Sequence, residues 1–173
     1  MTLVTDETIL RMYPPLRMAW GLIGQQTQVP ISGQNAKRVL FGAINIRTGH
    51  RILQRTHQQR QEDCQAFLKT LRRRYGHRRI WLLLDKHGGH WAPRSQALAE
   101  ELNIVLLFLP RQSPELNPMD HLWKEAKRVR SANRQYDTID EHARQVEDWI
   151  QSLTPRQALR KAGILSKNFW LRT

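Results

Sequence analysis

The sequence predicts an α/β fold: a mixed five-stranded sheet with helices on both faces. Three observations predict it. The second half alternates amphipathic stretches with short apolar runs, in the order helix, strand, helix, strand, helix. Strand–helix–strand repeats require a parallel sheet with helices packed on it. The first half holds three strand-like runs, the last two joined by the tight turn Arg47-Thr48-Gly49-His50, which adds antiparallel pairing. The chain has 173 residues, 40% of them hydrophobic, without internal repeats or low-complexity tracts. That is enough for one domain, residues 1–173, with its own core.

The elements follow in order. Leu3–Met12 is a strand whose alternate residues Val4, Asp6 and Thr8 share one face. Tyr13–Gln34 carries Pro14, Pro15, Gly21, Gly24, Pro30 and Gly33 and reads as an extended loop around Trp20. Arg38–Ile46 is apolar on both faces, the pattern of a central strand, and Arg51–Thr56 is its hairpin partner. Gln61–Tyr75 is a helix with the stripe Cys64, Phe67, Leu68 and Leu71, and Gly76 stops it. Arg79–Asp85 and Ile104–Leu109 are buried strands, and Pro93–Leu102 is the helix between them. Pro118–Arg130 is a helix with Leu122, Trp123, Ala126 and Val129 facing the core. Thr138–Ser152 and Pro155–Lys161 are further helices. Residues 138–173, with Trp149 and Trp170, form either a closing helical layer or an assembly surface.

Lys and Arg total 28 against 15 Asp and Glu, a net charge of +13 spread along the chain. A field of that sign attracts polyanions, of which nucleic acid is the commonest. The apolar runs are too short to span a bilayer, and there is no basic amphipathic helix with a large aromatic face. The start, MTLVTDETIL, has neither the basic region nor the apolar run of a signal peptide. A single cysteine, Cys64, excludes an internal disulfide and a cysteine zinc site and fits a reducing, cytoplasmic compartment.

Three acids carry the chemistry. Asp85 closes a buried strand, where open α/β sheets place their ligands. Asp6 lies inside the first strand, and Asp120 in the first turn of the Pro118–Arg130 helix. Carboxylates in such places must protonate, pair with cations or bind metal. Each has a plain structural reading too: Asp85 caps a loop, Asp6 pairs with an arginine, and Asp120 completes a near capping box with Asn117 as N-cap. Hard divalent cations suit oxygen ligands, and two such ions can clamp both oxygens of a phosphoryl transfer. His87 and His90, in HGGH, lack a third soft ligand for zinc and read as loop residues near phosphate, as does Lys86. Lys124 and Lys127 follow Asp120 on one side of its helix, with Arg128 beside them. They contact DNA or neutralise Asp120. The Walker, GxGxxG, HExxH and GxSxG patterns are absent from the sequence.

At these residues the chain resembles the catalytic domain of mariner-type DDE transposases, in particular the group carried by bacterial insertion sequences. The tract Ser113-Pro114-Glu115-Leu116-Asn117-Pro118-Met119-Asp120-His121-Leu122-Trp123-Lys124 resembles the family's third-acid motif. Leu82-Leu83-Leu84-Asp85, with His90 following, resembles the second, and Thr5-Asp6-Glu7-Thr8 the first. Trp20, Gly24 and the strand around Gly42 match the segment after the first acid, and 34 residues separate Asp85 from Asp120. The resemblance implies an RNase H-like fold and two Mg²⁺ or Mn²⁺ ions held by Asp6, Asp85 and Asp120. It implies cutting of double-stranded DNA at transposon ends and strand transfer into target DNA, usually by a homodimer. Two positions depart from the pattern: the third acid is aspartate where glutamate is usual in the bacterial group, and Lys86 stands where asparagine is frequent. Family members carry a helix-turn-helix domain before the first acid, and this sequence starts five residues before Asp6. That leaves a split gene with a separate recognition polypeptide, a remnant, or an excised piece of a longer protein. Two other functions stay open, a non-catalytic DNA-binding or assembly module and a nuclease for RNA–DNA hybrids.

Overall fold

The computed structural model describes residues 1–86, 92–110 and 113–171. The strands are β1 (Thr2–Arg11), β2 (Lys37–Asn45), β3 (Arg51–Thr56), β4 (Ile80–Leu84) and β5 (Ile104–Phe108). They form one sheet in the order β3-β2-β1-β4-β5. β2 is antiparallel to β1 and β3, whereas β1, β4 and β5 run parallel. The mixed five-stranded sheet is therefore as expected, with β1 rather than β2 at its centre.

Alternation along the strands sends side chains into two cores. Leu3, Phe41, Ala43, Ile80 and Leu82 meet Cys64, Phe67, Leu68 and Leu71 of α1 (Gln61–Tyr75) and Ala99 of α2 (Pro93–Glu101). Val4, Leu10, Leu40, Ile44 and Leu83 meet the other face, built by α3 (Pro118–Arg130), α4 (Ile139–Ser152) and α5 (Pro155–Lys161). Ile139, Ala143, Val146, Ile150, Ala158 and Leu159 are buried there, so α4 and α5 close the core. Met119 joins α3's buried stripe, and Val129, expected in it, is half-exposed in the last turn of the helix.

Local chemistry sets the helix ends. Thr138 Oγ1 caps α4 by accepting from Glu141 N at 3.1 Å, and Thr154 with Gln157 closes a reciprocal capping box on α5. The far end of α4 is held by a buried arginine. Arg51 Nη2 donates to the carbonyls of Gln151 (3.1 Å) and Leu153 (2.7 Å), while Nη1 donates to Gly49 O. A cation there satisfies terminal carbonyls and opposes the negative end of the helix dipole.

Among the described residues, the long connection between β1 and β2 is tied down near its two ends. Asn133 accepts from Arg17 N and donates to Arg17 O, both at 2.8 Å, and Tyr13 OH donates to Gly33 O. Between those ends Met18, Trp20 and Ile23 are as exposed as in an extended chain, at 104%, 103% and 105%. No charged residue occurs between Arg17 and Lys37.

Candidate active site

β1 and β4 pair as far as Val4 and Leu83. Asp6 and Asp85 each lie two residues further on. Side chains return to the same face every second residue, so both acids follow core residues on the α3 side of the sheet. β4 ends at Leu84, and Asp85 is the first exposed residue beyond it rather than a buried terminus. The sheet is opening at this point, which frees Asp85 from the apolar layer that buries Leu82–Leu84.

The third acid arrives from above. Asn117 caps α3 through a 3.0 Å bond from Met119 N, and Pro118 occupies the first helical position. Asp120 does not complete a capping box. The Asn117 N–H that its carboxylate would accept from is already given to Pro114 O at 3.0 Å, within the 3₁₀ turn Pro114–Leu116. The carboxylate instead lies 2.6 Å from Lys124 Nζ, one turn along. Height above the sheet is set by Gly42, which pairs with Asp6 across β1 and β2. A Cβ on Gly42 would stand 2.5 Å from Trp123 Cζ2 and 2.6 Å from Met119 Cε, so only glycine lets the first turns of α3 settle beside Asp6.

The three acids sense one another. Burial pushes the Asp6 carboxyl up to about 8, and the negative charges of Glu7, Asp120 and Asp85 push the same way against one backbone hydrogen bond from Glu7. Lys127 is drawn into the same cluster. Its burial lowers the ammonium pKa, while Asp120 and Asp6 act to raise it. The expected arginine partner for Asp6 is not what sets its charge state; burial and the other acids do.

Among the described residues, no three His, Cys, Asp or Glu side chains form a ready metal cage. The donor chemistry nevertheless fits Mg²⁺ or Mn²⁺: the converging groups are carboxylates, their negative charge is under-compensated at Asp6, and Cys64 lies in the opposite core. Of the residues expected at DNA, Lys124 is paired to Asp120, Lys127 is half-buried beside the acids, and Lys86 is exposed next to Asp85. Arg128 points elsewhere and grips Glu125 through Nε (2.8 Å) and Nη2 (2.9 Å). His87 and His90 lie outside the described residues.

Two contributors escape a reading of the sequence. Asn117 reads as a cap, yet its amide nitrogen also reaches β1. Gly42 reads as a strand glycine, and only the close approach of α3 explains it. A lone glycine inside an apolar strand is the one signal that points to such an approach.

Known proteins share this architecture. The chain is similar to the uncharacterized 39 kDa protein of insertion element IS630 from Shigella sonnei, with 26% identity over 152 residues, 87% of this chain and 44% of that one. An uncharacterized protein of Sinorhizobium fredii is 41% identical over 64 residues, 35% of this chain and 45% of its own length. The chain thus spans about half the length of the curated relatives it matches. Among solved structures, the Mos1 strand transfer complex superposes with a TM-score of 0.72 at 19% identity, covering 93% of this chain and 50% of that one. The catalytic domain of Mos1 mariner transposase gives 0.66 at 16% identity, covering 93% and 74%. These likenesses establish the RNase H-like fold. The family model described as DDE superfamily endonuclease matches residues 1–143, most of the chain, and the chain belongs to that family.

Proposed function

We propose that this chain is the catalytic domain of a transposase, which cuts double-stranded DNA at transposon ends and joins the freed 3′-hydroxyl to target DNA. The observation that carries the reading is the meeting of Asp6 and Asp85, where β1 and β4 part, with Asp120 delivered by the first turn of α3. Asp6, Asp85 and Asp120 would hold two Mg²⁺ or Mn²⁺ ions. Bound there, the ions would supply Lewis-acid stabilisation of the attacking and leaving oxygens. The protein's own part is position and charge. Gly42 sets the height of α3, Lys127 offsets the repulsion among the acids, and Lys124 is free to turn from Asp120 to a phosphate once a cation takes its place. The surplus of positive charge grips the phosphate backbone without reading sequence. Relatives in solved structures include Mos1 paired-end complexes with Mg and with Mn. Lys86, Lys124 and Lys127 are the backbone contacts, joined by His87 and His90, while Arg128 is held by Glu125 and drops out of the expected set. The partners are DNA, a second copy of the chain, and a recognition domain or polypeptide for the ends. A bacterial enzyme of this kind works in the cytoplasm at the nucleoid, and no described helix is long and apolar enough to cross a membrane.

The test is Mn²⁺ titration calorimetry on the chain and on Asp85→Ala. Saturable binding that the substitution abolishes, with the circular dichroism unchanged, is the expected result. The second reading, a DNA-holding module without chemistry, draws on the Lys124–Asp120 ion pair, which puts a lysine where a metal would need a free oxygen. Failure of the folded chain to bind Mn²⁺, with or without DNA, would favour it.

A further inference from the structure

Asn117 does more than a helix cap needs. A cap requires one acceptor, and Asn117 Oδ1 supplies it to Met119 N at 3.0 Å. The other end of the same amide, Nδ2, donates to Thr5 O at 3.1 Å. Thr5 is the first residue of β1 beyond its pairing with β4, and it immediately precedes Asp6. It is itself locked to β2, its Oγ1 donating to Gly42 O at 2.8 Å. The backbone carbonyl of Asn117 accepts from Asp120 N at 3.1 Å. One side chain, 3% exposed, thus ties the residue before the first acid to the turn that carries the third.

We propose that Asn117 is a positioning residue that fixes the Asp6–Asp120 separation through its bond to Thr5 O, a role separate from capping α3. The inference rests on the metal-site reading above. Its chemistry is specific. Aspartate and serine cap helices as well as asparagine does, but neither places an amide N–H opposite a carbonyl. Aspartate has no donor and serine's one hydroxyl must do both tasks from a single atom, whereas asparagine accepts through Oδ1 and donates through Nδ2, two atoms facing two different partners. Met119 and Trp123 pack against Gly42 and set the height of α3 above the sheet. The bond to Thr5 O, running from strand to helix start, ties its first turn to the residue before Asp6.

The experiment compares the whole chain with Asn117→Asp and Asn117→Ser, both of which keep a cap, and with Thr154→Ala, which removes the cap of α5 far from the acids. Mn²⁺ affinity is read by calorimetry, helix content by circular dichroism, and the Asp6–Asp120 separation from crystal structures. The expected result is unchanged helix content in both Asn117 variants and a fall in Mn²⁺ affinity of about tenfold or more, in line with the loss of groups that orient metal ligands. The separation should widen in both crystal structures, and Thr154→Ala should bind Mn²⁺ as the parent does. An unchanged separation in Asn117→Asp, or Mn²⁺ affinity within twofold of the parent, overturns the inference, because a pure cap predicts both. If the parent chain itself fails to bind Mn²⁺, the proposed metal site fails, and the crystallographic separation alone decides the role of Asn117.

Discussion

Asp6 makes the stability of the ion-free protein sensitive to pH. Its carboxyl is raised from an ordinary value near 4 to about 8 by burial and by the acids around it. The sign follows from linkage. Below the ordinary value both folded and unfolded chains hold the proton, and the group costs nothing. As pH rises from about 4 to about 8 the unfolded chain releases its proton readily while the folded chain keeps it, so stability is lost across that window and levels off above. Denaturant melts in a chelator should show the parent less stable at about pH 8.5 than at about pH 5, by up to a few kcal/mol. Asp6→Asn should remove most of that slope and stabilise the ion-free chain at the higher pH, while abolishing Mn²⁺ binding. A parent whose stability does not fall over that range would show that Asp6 is not held in its protonated form. The sequence makes Asp6 legible as a candidate because a carboxylate in an apolar strand demands compensation. It leaves the compensation itself open, since arginine, proton and metal all answer the demand. Asn117 is half legible for a similar reason: the Asn-Pro start of a helix announces a cap, but the partner of its amide nitrogen lies 112 residues away.

At the scale of elements, the site depends on how closely α3 lies on the sheet and on how firmly α4 backs it. Gly42→Ala tests the first. The added methyl meets the rigid, buried Trp123 ring and the end of Met119, and should cost about 1–3 kcal/mol. Because α3 must rise, Mn²⁺ affinity should fall with it. Thermal melts and calorimetry read the two together, and a variant with lower stability but full affinity would separate α3's height from the site. Arg51→Met tests the second. It keeps much of the buried stem but leaves the carbonyls of Gln151 and Leu153 without their donor, a loss of about 1–3 kcal/mol that denaturant melts would measure. Mn²⁺ affinity should be unchanged, since Arg51 lies at the α4 terminus away from the acids. The elements themselves were easy to read. Period-2 and 3.6-residue patterns, the Gly76 stop and the Pro118 start all act within a few residues. Val129 shows the limit: its spacing lies within about 20° of Leu122, one heptad before, yet it is half-exposed, so spacing alone does not settle burial at a helix end.

For the molecule as a whole, the mix of antiparallel and parallel pairing followed from two rules of connection, hairpins pairing antiparallel and strand–helix–strand units pairing parallel, while the order of the strands did not. Placing both acids at one point of the sheet then needed only the register of β1 against β4. The exposed connection between β1 and β2 was not legible in the same way. Its prolines and glycines mark a loop, but nothing in a sequence says whether Met18, Trp20 and Ile23 fold back or stand out. That they stand out has a consequence for handling the protein. In dilute buffer a charge of +13 keeps copies apart, and the neutral, oily loop is harmless. Salt shortens the reach of that repulsion to about 3 Å at 1 M and, if it is a sulfate, strengthens apolar association at the same time. The chain should therefore become more prone to self-association as ammonium sulfate is added, where a salt-wary purification of a basic DNA-binding protein would add more. Replacing residues 18–31 with a Gly/Ser segment should restore monodisperse light scattering without moving the melting temperature. The colloidal behaviour of this protein would then be governed by a stretch that contributes almost nothing to its fold.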